Sequence, residues 1–294
     1  MKSLLVVGCG DVARRALPAL TARWRVSALV RRADAHLAAQ GVAQIVGDLD
    51  RPETLAALGT GFDAVIHLAP PPESGPGDPR TAHLVAALSA QGMLPERLVY
   101  ISTSGVYGDC AGARIDETRV PNPASARGQR RVDAERLLLD WGAERGVNVA
   151  VLRVPGIHPA DRLPLERLKK GTPVLAHEDD VLTNHIHADD LAAICVAALE
   201  RAAPGAIYHA SDDSELRMGD YFDLVADRHG LARPPRIPRA EAERVMPPML
   251  MSFMSESRRL VNARMKRELG VTLAYPTVFE GVPHGHAARP QQPA

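Results

Sequence analysis

The sequence predicts an α/β fold, a doubly wound Rossmann parallel sheet with a smaller C-terminal substrate lobe. Three observations predict it. Short runs rich in Val, Ile and Leu alternate with alanine-rich amphipathic segments through the first half, the pattern of successive βαβ units. A glycine turn, GCGDVA at residues 8–13, follows the first apolar run and opens a helical segment. Beyond about Pro155 the alternation loosens and prolines accumulate, as expected of a lobe laid over the strand ends.

Taken in order, the strands expected are Leu4–Val7, Val26–Val30, Ala43–Val46, Ala64–Leu68, Arg97–Ser102 and Val147–Val154. Each is a short run dense in residues that suit a buried strand. The helices between them, read from periodicity and punctuation, are Asp11–Ala22, Ala33–Gln40, Pro52–Leu58, Pro79–Gln91 and Ala124–Arg145. Six parallel strands with five crossovers place ligands at the carboxyl ends of the strands. In the second half a helix Leu191–Glu200 is introduced by Asp189 and Asp190, and a strand Ala206–His209 precedes a helix around Gly219–His229. The domain reading is therefore a Rossmann domain over 1–155, with 181–200 returning to it, a substrate lobe over 156–284, and a disordered tail over 285–294, where little can be buried.

Composition narrows the function. Lys plus Arg number 35, as do Asp plus Glu, across 294 residues. That balance argues against a nucleic-acid or polybasic membrane partner. Cys9, Cys110 and Cys195 are too few for a disulfide framework and lack zinc-ligand spacing. A reducing, cytoplasmic setting without structural metal is expected. The opening MKSLLVVG is about half the apolar length of a signal peptide and leads into the glycine turn. No stretch approaches the roughly 18 apolar residues of a membrane span. A small-molecule substrate is the expected partner.

The glycine turn has the context of a dinucleotide site. Gly8 permits the tight turn and Gly10 lets the backbone approach a pyrophosphate. Ala13 keeps helix and strand close, while amides at the helix start, Asp11 and Val12, face the anion. The same glycines also suit an ordinary strand-to-helix turn. After the second strand stand Arg31 and Arg32, where NAD-selective proteins commonly carry an acidic residue for the ribose hydroxyl. Two guanidiniums suit a 2′-phosphate, so NADP(H) is preferred, with NAD(H) as the alternative; a solvated basic loop would look the same. Asp48 can accept from an adenine amino group or cap the helix near Pro52.

Read together, GCGDVA, GDL at 47–49, HLAPPP at 67–72, STSGVYG at 102–108, LRVPGI at 152–157 and HIHADDLA at 185–192 resemble the epimerase/dehydratase branch of the short-chain dehydrogenase/reductase superfamily. VNARMKRELG at 261–270, followed by Tyr275 and Pro276, resembles the C-terminal end of the same group. The resemblance implies a cofactor lying across the strand tips, with Leu68, Ala69 and Pro70 near the ribose and Pro155 beside the nicotinamide. It implies that Thr103 donates a hydrogen bond to a substrate oxygen and passes on a proton; a Thr here can instead bond its own backbone. It also implies a homodimer through the Arg-rich helix.

Two departures matter. The turn is GxGxxA where the extended family has GxxGxxG, which places the chain nearer the atypical members. The family's TyrxxxLys pair, counted back from Glu135, falls on Arg127 and Arg131. Arginine stays protonated above about 12 and cannot act as a general base. Arg131 can still donate to the nicotinamide ribose, or Arg127, Arg130, Arg131 and Arg136 can form a solvated face paired with Asp133 and Glu135. Tyr107 and His158 remain as proton-handling candidates beside Thr103, and Arg162 as a substrate contact. His67, His185 and His187 read as structural. The function expected is an NAD(P)-dependent oxidoreductase or epimerase acting on a hydroxyl or carbonyl carbon of a small molecule, a sugar or sugar nucleotide among them. The alternative is a non-catalytic NADP(H)-binding or sensor protein that has lost the tyrosine.

Overall fold

A computed structural model describes residues 1–59, 61–90, 92, 94–158 and 161–285. The expected disordered tail, apart from Gly285, lies outside the described residues. In the first half the strands are β1 (Ser3–Val7), β2 (Arg25–Val30), β3 (Ala43–Val46), β4 (Ala64–His67), β5 (Arg97–Thr103), the short β6 (Arg114–Ile115) and β7 (Asn148–Val154). The helices are α1 (Asp11–Thr21), α2 (Ala35–Ala39), α3 (Pro79–Ala90) and α4 (Ala126–Arg145), and Pro52–Leu58 forms a 3₁₀ helix. The seven-stranded central sheet runs Ile207–His209, β7, β5, β4, β1, β2, β3, all parallel.

The strand expected at Ala206–His209 was read as part of the C-terminal half. It instead pairs with β7, Tyr208 opposite Leu152, as the seventh strand of the sheet. Tyr208 is fully buried, and a strand of 3 residues carries too little pattern to show which sheet it joins.

Both faces of the sheet are covered, which explains the near-continuous apolar strands. Along β1, Leu4 and Val6 face one core with Ala13, Leu17 and Leu20 of α1. Leu5 and Val7 face the other with Leu84 and Leu88 of α3 and Leu138 of α4. These four side chains are at most 1% exposed, so truncating Leu4 or Leu5 to Ala costs about 2–5 kcal/mol.

After β7 come β8 (Gly156–His158), α5 (Leu165–Lys169), α6 (Ala188–Arg201), α7 (Met218–Arg228), α8 (Arg239–Val245) and α9 (Pro248–Phe253). Helix α6 begins three residues earlier than expected because His187 caps it, its Nδ1 accepting from the Asp189 amide at 3.3 Å. Asp190 is buried and accepts from the Ala274 and Tyr275 amides at 2.7 and 2.8 Å, which ties the C-terminal segment to the helix. The lobe has its own small core of Leu168, Val174, Tyr221, Phe222 and Val225. Among the described residues no helix is long and apolar enough to cross a membrane.

Candidate functional site

The sheet order reverses between β1 and β4, which opens a crevice at the strand tips, where doubly wound folds take ligands. A cleft of about 1340 Å³ lies there. Gly8, Gly10, Asp11, Val12, Arg31, Arg32, Asp48, Leu68, Ala69, Pro70 and Arg131 all line it.

The local chain explains this convergence. Gly8 has φ of +93°, and a Cβ there would lie 2.5 Å from the Ala69 amide nitrogen. Only glycine lets β1 end against the Leu68–Ala69 segment, whose amides donate to the Val7 carbonyl at 2.7 and 3.1 Å. At Gly10 a Cβ would meet nothing within 4 Å, so this side of the turn is open. Gly10 is also the N-cap of α1 and offers no side chain to the first amides. Helix-start amides that lack an internal partner attract an anion. These features fit the pyrophosphate of a dinucleotide.

Eight arginines and five carboxylates line the cleft, so its field is positive. Asp34 caps α2 by accepting from the His36 amide at 2.9 Å and is bound by Arg14. Asp50 is held by Arg80, which donates to both carboxylate oxygens at 2.7 and 2.6 Å. Arg31 and Arg32 are exposed and have no carboxylate partner within ion-pair distance among the described residues. Asp48 does not cap the following 3₁₀ helix; its Oδ1 accepts from the Asp50 amide at 3.0 Å in a local turn. Asp11 is bound by Arg15 at 2.9 Å and by Arg162 at 2.8 Å. Arg162 therefore reaches back from the C-terminal half to the glycine turn.

Thr103 stands partly buried at the tip of β5, two residues beyond the cleft-lining Ile101. Its Oγ1 accepts from the Gly105 amide at 3.2 Å. The hydroxyl hydrogen is left for another acceptor. Pro155 is half-buried at the end of β7 and is not among the lining residues; Ile157 takes the cleft position.

The other two proton-handling candidates are placed elsewhere. Tyr107 is 1% exposed and sits in a buried chain with His209, Arg153 and Glu135. Burial pushes its hydroxyl up to about 12. His158 is 3% exposed, with Nε2 3.7 Å from the buried Asp212 carboxylate. The helix Val278–Gly281 covers it, and a Cβ on Gly281 would lie 2.5 Å from the His158 ring. Both were expected near substrate because their motif positions follow strand ends; Tyr107 is instead drawn into the sheet's own polar chain, and the lobe closes over His158. His158, His185 and His187 cluster, with ring centroids 6.0 and 5.3 Å from His158. Among the described residues no group of three or more His, Cys, Asp or Glu is placed to hold a metal ion.

Of the four arginines of α4 read as a solvated face, Arg127 and Arg136 are exposed, Arg130 and Arg131 are not, and among the described residues none pairs with Asp133 or Glu135. Arg130 is buried and donates to the Gly75 and Glu73 carbonyls at 2.9 and 3.0 Å. Arg131 donates to the Tyr100 hydroxyl at 2.9 Å and to the Ile101 carbonyl at 2.6 Å. Glu135 is paired with Arg153 of β7 at 2.7 Å, both nearly inaccessible. Arg127 also lines the cleft, its guanidinium 4.7 Å from the centre of the Phe253 ring. Sequence reasoning missed Asp50, Arg80 and Phe253, whose partners lie far away along the chain and carry no motif.

Residues 8–202 match the family model described as NAD(P)H-binding. The chain is 30% identical over 231 residues to a GDP-6-deoxy-D-mannose reductase of Pseudomonas aeruginosa, covering 67% of this chain and 75% of that protein. It is 28% identical to a 3-diazoavenalumate denitrifying reductase of a Streptomyces species over 96% of this chain and 99% of the relative. The fold superposes on a UDP-glucose 4-epimerase of Thermotoga maritima with a TM-score of 0.76 at 16% identity, covering 95% of this chain and 96% of that one. With the open glycine turn, the reversed strand order and these matches, the chain belongs to the NAD(P)H-binding family, in the epimerase/dehydratase branch of the short-chain dehydrogenase/reductase superfamily.

Proposed function

We propose that the chain is an NADP(H)-dependent oxidoreductase acting on a carbonyl or hydroxyl carbon of a small molecule bound between the strand tips and the residue 156–284 lobe. The observation that carries this reading is Thr103 beside a positively lined dinucleotide cleft. Bound NADPH would supply hydride. The chain would hold the pyrophosphate at Gly10, Asp11 and Val12, the 2′-phosphate at Arg31 and Arg32, and the adenine beside Asp48. Leu68, Ala69 and Pro70 would flank the ribose, with Arg131 fixed nearby by its bonds to β5. Thr103, oriented by the Gly105 amide, would donate to the substrate oxygen and so stabilise charge developing there.

The relatives differ in the substrates their names give, a GDP-sugar and 3-diazoavenalumate; sugar nucleotides therefore enter the substrate panel as one class among several. One observation favours a second reading, a binding or sensor protein. Arg127 stands in the tyrosine's place, and Tyr107 and His158 are both buried away from the cleft. The test is a titration with NADPH and NADH, followed by NADPH oxidation against carbonyl acids, ketones, aldehydes and keto-sugar nucleotides. Turnover of any of them establishes the oxidoreductase. Tight NADPH binding with no turnover across the panel establishes the second reading.

A further inference from the structure

We propose that Arg127 and Phe253 form a clamp for a carboxylate carried on a flat or apolar body, which makes carboxylic acids the substrate class of this site. The inference rests on the cofactor-cleft reading above and names what binds beside it.

Arg127 lies in the first turn of α4, and that turn is pressed onto the Thr103 loop. A Cβ on Gly128 would be 2.8 Å from the Gly105 carbonyl, and a Cβ on Gly105 would be 3.5 Å from Thr103 Oγ1. Glycine at 128 therefore lets the residue after Arg127 pack directly on the Gly105 carbonyl, two residues from Thr103. The guanidinium carbon lies over the Phe253 ring, 4.7 Å from its centre, and Phe253 is 42% exposed. Among the described residues no carboxylate lies within ion-pair distance of Arg127. Glu256, on the Phe253 segment, is taken by Arg258 at 2.9 Å.

Among the described residues no hydrogen bond engages the Arg127 N–H groups, in contrast to Arg130 and Arg131, and a free guanidinium edge matches a carboxylate through two parallel hydrogen bonds. The Phe253 ring supplies apolar surface on the same side, and Met249, one turn earlier in α9, is 74% exposed. Ile157, 42% exposed, brings a further apolar side chain to the cleft. An acid with a flat or apolar body satisfies this set.

The test compares acids with their primary amides, which match in shape and differ in charge. Cinnamate, phenylpyruvate and octanoate are titrated calorimetrically against cinnamamide, phenylpyruvamide and octanamide, with the full chain, with and without NADPH. At least one acid is expected to bind about tenfold or more tightly than its amide. Arg127→Met should abolish that ratio, and Arg127→Lys should restore only part of it, because a point charge lacks the paired edge. Phe253→Ala should weaken acid and amide alike and leave the ratio intact. Phe253 is not among the residues lining the cofactor cleft, so NADPH affinity should remain within about twofold in Phe253→Ala. Equal binding of every acid and its amide, or a ratio that survives Arg127→Met, overturns the clamp. Should Arg127→Met fail to fold, the wild-type ratio and Arg127→Lys still decide. Failure of NADPH to bind the wild type overturns the cofactor reading instead, and the acid-to-amide ratio remains measurable without it.

Discussion

Tyr107 donates its hydroxyl hydrogen to Nε2 of His209 across 2.5 Å. The direction follows from the other ring nitrogen. Nδ1 of His209 lies 3.0 Å from the Val261 carbonyl, which can only accept, so Nδ1 carries the proton and Nε2 is the acceptor. Arg153 Nη1 in turn donates to the Tyr107 oxygen at 2.7 Å while Arg153 binds Glu135. The chain runs from α4 through β7 to the C-terminal segment, and every polar group of Tyr107 is committed to it.

This network fixes the frame behind the site. Arg153 and Glu135 are 3% and 4% exposed, so removing one partner leaves an uncompensated buried charge. Arg153→Met should lower unfolding free energy by about 3–5 kcal/mol. Tyr107→Phe, which keeps the ring and loses two hydrogen bonds, should cost about 1–3 kcal/mol. Urea unfolding checks both. Loss of less than about 1 kcal/mol in Arg153→Met would show that the pair contributes little.

For the cofactor, Arg31→Ala/Arg32→Ala should remove a preference for NADP(H) over NADH. Two charge-assisted contacts, each about 1.5–3 kcal/mol before desolvation, support a tenfold or greater ratio in the wild type. Asp34 lies near the same strand end, but it is tied to Arg14 and to the α2 cap. Calorimetric titration with both cofactors reads the ratio directly, and equal wild-type affinities would reject the phosphate assignment.

Much of this was legible because strands buried on both faces announce themselves. SLLVV of β1 feeds two cores at once, so the run is unbroken and its limits are clear to within a residue. The glycine turn was legible for a related reason, since Gly8 answers to a local backbone requirement. What escaped depends on contacts distant in sequence. The strand Ile207–His209 is three residues long, and only its pairing with β7 assigns it to the central sheet. Tyr107 follows the end of β5 and His158 ends β8, places that motif reasoning associates with substrate, yet Tyr107 is engaged by Arg153 and His209 of the sheet and His158 is covered by the helix Val278–Gly281. Phe253 lies in a segment whose pattern predicts no element, and it meets Arg127, distant in sequence on another helix, only in the fold.

If turnover is found, Thr103→Val should reduce kcat by at least about a hundredfold, since it removes the hydroxyl at nearly constant volume. Arg127→Ala should raise KM more than it alters the pH profile, because arginine has no proton to exchange near neutrality. Steady-state kinetics over pH 6 to 9 on both variants, at about half-unit steps, separates these effects. Unchanged turnover in Thr103→Val would reject its role.

Stability should fall steeply in weak acid. Burial holds His67 and His185 down to about 3 and His209 to about 4. His67 donates from Nε2 to the Thr81 hydroxyl at 2.9 Å, because that hydroxyl itself donates to Asp78, and its buried Nδ1 has no acceptor among the described residues for a second proton. In the unfolded chain all three titrate near about 6.5. Below that value the unfolded state binds more protons than the folded one, and stability therefore drops as pH falls. The full contribution is present above about pH 6.5, and each histidine removes about 1.4 kcal/mol per unit once the pH is well below it. From about pH 5.5 to 4.5 the three together should cost about 4 kcal/mol per unit. His185→Gln, which cannot titrate, should flatten that slope by about a third even if it lowers stability at neutral pH. Urea midpoints across this range provide the measurement, and an unchanged midpoint between about pH 7 and 5 would contradict neutral burial of these rings.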